Sequence, residues 1–214
     1  MAIKFAIIES QNPIDIFYGR DESSSLLSAL KLFGNKALIM HARSANNFTE
    51  ICDYLATSNG NHCSVGDDCD PIFVHISSHG NDSGLEIGKD FIEWEQVAKN
   101  ISKISENNQY LGSVCLSISS CGSGTNKIHK EIEKNLNKNK IEYIFSIPGE
   151  TIGWDAALAA WIVLYYNISR YEIDKANIQE SLKRTWEGTR VLIKYNRYDE
   201  KKINISLGRR KINK

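Results

Sequence analysis

Five short runs of continuous apolar character recur along the chain, at residues 3–9, 36–41, 73–77, 114–118 and 142–147. They are rich in Ile, Val and Phe. Continuous rather than alternating apolarity suits strands covered on both faces. Between them lie segments of helical period. One covers about residues 21–33, with Leu26, Leu27, Leu30 and Phe33 on one face and Gly34 as its stop. Others cover about 46–57, 94–104, a segment with Ile128, Ile132 and Leu136 at i, i+4, i+8, and 155–168, which is apolar nearly all round. The last is expected over 174–195, with Ile178, Leu182, Trp186 and Ile193 facing inward. Strands alternating with helices predict a three-layer α/β/α sandwich with a mainly parallel sheet, formed by residues 1–214 as a single domain. In such sheets the chemistry lies just past the carboxyl ends of the strands.

Composition narrows the partners. Lys+Arg and Asp+Glu number 26 each, which leaves no electrostatic reason to expect nucleic acid or an acidic membrane. The basic cluster Arg209, Arg210, Lys211 and Lys214 reads as a solvated end. No run approaches the ~20 apolar residues of a membrane span. Residues 1–9 read as a first strand rather than a signal peptide. Five cysteines form an odd set without framework spacing, so free thiols in a cytoplasmic protein are expected.

Two central strands end alike. Phe73-Val74-His75-Ile76-Ser77 runs into Ser78-His79-Gly80, and Val114-Cys115-Leu116-Ser117-Ile118 runs into Ser119-Ser120-Cys121-Gly122-Ser123-Gly124. Each delivers one reactive side chain just beyond its carboxyl end, followed by glycine. If the strands are neighbours, His79 and Cys121 face each other across the top of the sheet. A cysteine of pKa ~8.5 is mostly thiol at neutral pH, and an adjacent imidazole takes its proton or holds the thiolate. The N–H groups of Gly80 and Cys121 are the expected donors to an oxyanion. His79 and Cys121 are 42 positions apart (121 − 79), room for a hairpin at about 81–93, one helix and the next strand. His75 and Cys115 are expected inside the sheet.

These blocks resemble the caspase-like cysteine peptidases: caspases, metacaspases, gingipain-like and clostripain-like enzymes, separase and bacterial CHAT domains. Ile144-Phe145-Ser146-Ile147-Pro148-Gly149, with Trp154-Asp155-Ala156-Ala157, Trp161 and Leu164-Tyr165-Tyr166 following, is most similar to the CHAT branch. The resemblance covers about residues 3–197. It implies a caspase-like sheet and a thiol endopeptidase with a His79/Cys121 dyad. It also implies no metal, no organic cofactor, and a protein or peptide substrate. The short segment after Cys121 has no room for the linker at which caspases are cut. That suggests a single-chain enzyme, active uncut or switched by a separate activator or sensor protein, with a bacterial defence or cell-death role by family analogy.

In that family the loop after the first strand contributes to specificity, and here residues 10–22 contain Asp15, Arg20 and Asp21. Arg20 is a candidate for binding an acidic substrate side chain. The plainer reading is a helix start with Asp21 as cap. Asp155 has two readings as well, a cap on its helix or a contact to substrate backbone. His62, Cys63, Cys69 and Cys52 match no zinc spacing, so no metal site is expected. His129 is expected on a solvated helix face. Residues 84–92 read as a hairpin beside the site, a lid or an edge ornament. The main alternative to an enzyme is a caspase-like domain that is catalytically silent and acts as an interaction module. A nucleotide-binding regulator is disfavoured, because Ser10-Gln11-Asn12-Pro13 stands where a Gly-rich phosphate loop would follow the first strand.

Overall fold

A computed structural model describes residues 3–57, 70–106, 112–124, 126–135, 141–149, 151–171 and 173–198. The candidate zinc residues His62, Cys63 and Cys69, Leu136 and the basic C-terminal cluster lie outside these. The described chain is mixed α/β. Its strands are β1 (Lys4–Ser10), β2 (Lys36–His41), β3 (Ile72–Ser78), β4 (Gly80–Asn81), β5 (Gly84–Ile87), β6 (Asp90–Glu93), β7 (Val114–Ser119), β8 (Ile141–Ser146) and β9 (Lys194–Arg197). Its helices are α1 (Pro13–Phe17), α2 (Glu22–Leu32), α3 (Ala45–Leu55), α4 (Trp94–Ser105), α5 (Asn126–Asn135), α6 (Trp154–Ile168) and α7 (Lys175–Thr189).

Six strands form one sheet in the order β2-β1-β3-β7-β8-β9. The first five run parallel and β9 is antiparallel to β8. The period-2 alternation divides the apolar side chains between the two faces. Ala6, Ile8, Val74, Ile76, Leu116 and Ile118 join one cluster with Phe48 of α3, Val97 and Ile101 of α4 and Ile128 of α5. Phe5, Ile7, Phe73, Cys115 and Phe145 join the other with Leu26 of α2, Trp161 and Leu164 of α6 and Ile178 of α7. β1, β3 and β7 are buried along their whole length, and their polar residues Glu9, His75 and Ser119 are buried with the apolar ones.

Local chemistry sets the element ends. Asp21 accepts from Ser24 N at 2.8 Å and caps α2, and Gly34, at φ +85°, ends it in the left-handed region. The period expected through residue 195 stops sooner. Arg190 adopts φ 60°, its N–H donates to Trp186 O, and α7 ends at Thr189. The chain then turns back as β9, so Ile193 packs from outside the helix, and Trp186 is 44% exposed rather than inward. Asp155 is not the cap of α6. Gly153 holds that position without a side-chain bond, and Asp155 is an exposed first-turn acid, where its charge favours the positive end of the helix dipole.

Two further expectations are revised. His129 is buried, with Tyr198 Oη 3.3 Å from its Nδ1 after β9 crosses that side. Burial there pushes its pKa down to about 4. The hairpin β5–β6 is packed in place rather than free to swing. Leu85 and Ile87 are fully buried, Gly88 N donates to Ser10 Oγ at 2.7 Å, and Asp90 accepts from Ala45 N at 2.9 Å.

Candidate active site

The register of the two central strands places the site. β3 pairs with β7 as Ile72↔Val114 through Ser77↔Ser119, a constant offset of 42 (114 − 72). His79 and Cys121 differ by the same 42 (121 − 79). Each lies two residues beyond the last register pair, past the carboxyl ends of adjacent parallel strands, and such strands lie about 4.8 Å apart.

Past the sheet the two segments stay in contact, and glycine makes this possible. A Cβ on Gly80 would sit 2.3 Å from Ser120 Oγ, and one on Gly122 would sit 2.6 Å from the Asn81 carbonyl carbon. Gly122 also has φ +68°, a region side chains disfavour. The turn after Cys121 is fastened to the segment after β8. Gly122 N donates to Gly149 O at 2.8 Å and Gly124 N to Ile147 O at 3.1 Å. Ile147 and Gly149 therefore lie against the turn that follows Cys121.

His79 is held on three sides. Its carbonyl accepts from Glu86 N at 2.9 Å. Its ring stands edge-on to Trp154, with centroids 5.4 Å apart. Its Nε2 lies 2.7 Å from Oδ2 of Asp15. Asp15 is buried, whereas the His79 side chain is 32% exposed. A carboxylate there assigns the ring proton to Nε2 and leaves Nδ1 as the acceptor.

The sequence locates Asp15 in the loop after β1 but not its role. Residues 10–22 fold around a short helix, α1, that the periodicity does not reveal. Pro13 suits its first turn, and Asn12 and Asp15 form a reciprocal capping box: Asn12 Oδ1 accepts from Asp15 N at 2.9 Å, and Asp15 Oδ2 accepts from Asn12 N at 3.3 Å. The Asn-Pro-x-Asp pattern is the sequence signal that marks it. Arg20 Nη1 lies 3.4 Å from Asp15 Oδ1, and the guanidinium stands 5.2 Å from the Tyr18 ring centroid. Arg20 thus braces Asp15 while its side chain remains 45% exposed.

The thiols differ sharply. Cys52 and Cys115 are buried and Cys121 is half-buried. Burial pushes Cys52 up to about 12 and Cys115 higher still. Cys121 is the only one of the three described cysteines that reaches solvent. Its N–H donates to no described residue. Because Glu86 N bonds to His79 O, Gly80 and Leu85 form a non-hydrogen-bonded pair, and the Gly80 N–H turns away from β5. Both expected oxyanion donors are therefore clear of that hairpin ladder. Asp155 is exposed, one residue from Trp154. Among the described residues no group of three or more His, Cys, Asp or Glu side chains clusters to hold a metal, and no helix is long and apolar enough to cross a membrane. No family model and no curated protein matches this chain.

Proposed function

We propose that the chain is a cysteine endopeptidase of caspase-like, CHAT-type architecture, a three-layer α/β/α sandwich acting on protein or peptide substrates. The observation that carries this reading is that adjacent parallel strands β3 and β7 lead directly to His79 and Cys121, with Nε2 of His79 already engaged by Asp15. The remaining ring nitrogen takes the Cys121 proton. The thiolate attacks the scissile carbonyl, and the carbonyl oxygen is received by the N–H groups of Cys121 and Gly80. The imidazolium then gives its proton to the leaving amine, and a thioester remains on Cys121. Water activated by the same imidazole releases the acid. Nothing in this sequence of steps calls for a metal or cofactor. Arg20, half exposed beside the dyad, supplies a cation for an acidic substrate side chain, and Asp155 is a weaker candidate for substrate contact.

The test is labelling with acyl-ketone peptide probes, comparing wild type with Cys121→Ala and His79→Ala. Adducts on Cys121 that both substitutions abolish support the reading, and adducts on Cys52 or Cys115 instead overturn it. Arg20→Glu changes the preferred residue in a cleaved peptide library if Arg20 lines the pocket. A second reading, a silent interaction module, draws on α1, where Ile14, Ile16, Phe17 and Tyr18 are 60%, 64%, 82% and 65% exposed. An apolar patch of that kind marks a contact surface. A cytoplasmic location, a separate activator and a role in bacterial defence belong to the proposal, by family analogy alone.

A further inference from the structure

A buried polar cluster lies under the site on the sheet face covered by α2 and α6. Glu22, the first residue of α2, is 2% exposed. Its Oε1 is 2.9 Å from His75 Nε2 on β3, and its Oε2 accepts from Ser119 Oγ on β7 at 3.0 Å. His75 Nδ1 is 2.8 Å from the Tyr165 hydroxyl on α6. A second buried carboxylate, Glu9 on β1, accepts from Glu22 N at 3.1 Å and from Ser23 N at 3.0 Å, which fixes the start of α2. Buried carboxylates are costly unless every lone pair is met. The bonds of this cluster fall at a particular place. β3 leads to His79 four residues after His75, and β7 leads to Cys121 two residues after Ser119. The α1–α2 connection carries Arg20, which braces Asp15, two residues before Glu22.

We infer that Glu22 is a positioning residue: one carboxylate ties together the two strands that deliver His79 and Cys121 and anchors the connection that holds Asp15. This rests on the dyad reading above. Ladder bonds alone set the strand spacing. The Glu22 clamp adds a fixed point near the carboxyl ends, where the regular ladder stops and the two segments diverge into different turns.

The test reads the rate of Cys121 alkylation by iodoacetamide across pH 5–9 and kcat with a probe-derived peptide. In wild type, a rate at neutral pH above that of an ordinary thiol, lost in His79→Ala, establishes the dyad; its absence overturns the peptidase reading rather than the clamp. Given that, Glu22→Ala slows alkylation at pH 7 by about tenfold or more, the range a misplacement near 1 Å produces. Glu22→Gln restores most of the rate, because an amide still accepts from Ser119 and bonds His75 once that ring moves its proton to Nδ1. Ser119→Ala removes the β7 tie alone, is the milder variant should Glu22→Ala not fold, and gives an intermediate loss. Asp174→Ala, which removes the cap of α7 and so lowers stability elsewhere, leaves the pH–rate profile unchanged. Wild-type profiles in folded Glu22→Ala and in Ser119→Ala overturn the inference, as does a Glu22→Gln variant no faster than Glu22→Ala.

Discussion

Oδ2 of buried Asp15 lies 2.7 Å from Nε2 of His79, 64 residues away in the chain, and is braced from its other oxygen by Arg20. Under the proposed mechanism, the pair decides which nitrogen of His79 serves Cys121. In Asp15→Asn the amide N–H faces Nε2 and drives the ring proton onto Nδ1, the wrong side for accepting a thiol proton. The fold is retained, and Cys121 reactivity and peptide turnover fall by about 10²–10⁴, the size of a tautomer error in a triad of this kind. Alkylation rates and kcat, with circular dichroism to confirm folding, check this. An Asp15→Asn variant as fast as wild type removes Asp15 from the mechanism.

Thiol chemistry separates the described cysteines. Native protein treated briefly with iodoacetamide at pH 7.5 carries its adduct on Cys121 and not on Cys52 or Cys115, which burial holds as thiols. Peptide mapping by mass spectrometry reads the positions. In denaturant all three react.

Gly122 is a backbone requirement. Ala in its place meets Asn81 at 2.6 Å and Asp82 N at 2.7 Å while holding φ +68°. The expected cost is about 1–3 kcal/mol, read by urea unfolding. Cys121 reactivity falls with it, since the 120–122 turn must move off residues 81–82.

His129 gives the fold a pH dependence. Its pKa drops from 6.5 in the unfolded chain to about 4 in the buried site. A base with a lowered folded pKa contributes stability that is fully present above pH 6.5 and is lost as pH falls towards 4, because only the unfolded chain takes up the proton there. The full loss is about 3 kcal/mol at most. Glu9 works in the opposite sense: burial raises its pKa, so its contribution is greatest in acid and is lost as pH rises through the carboxylate range. The difference between wild type and His129→Gln isolates the histidine. Urea midpoints from pH 4 to 7 converge at the acid end if this is correct.

The parallel sheet was legible because β1, β3 and β7 are short, rich in Ile, Val and Phe, and separated by segments of helical period. The adjacency of the segments carrying His79 and Cys121 was legible because two apolar strands end alike, and β3 and β7 do pair in parallel. What escaped depends on partners distant in sequence. α1 spans five residues, too short for a period, and Asp15 has a defined role only because His79 arrives from 64 positions away. Helical periodicity runs on to residue 195, and Lys194–Arg197 becomes a strand only by pairing with β8. His129 sits on a Lys- and Glu-rich helix, and nothing local announces that Tyr198 covers it.

The parallel register between β3 and β7 also bears on time. Asp15, His79 and Cys121 are synthesised in that order, and none is useful alone. Joining strands 42 residues apart carries a loop-closure cost that short-range contacts avoid, and such pairings form late. The growing chain on the ribosome therefore carries Asp15 and His79 before Cys121 is made. The three side chains come to the same end of the sheet only when β7 pairs with β3.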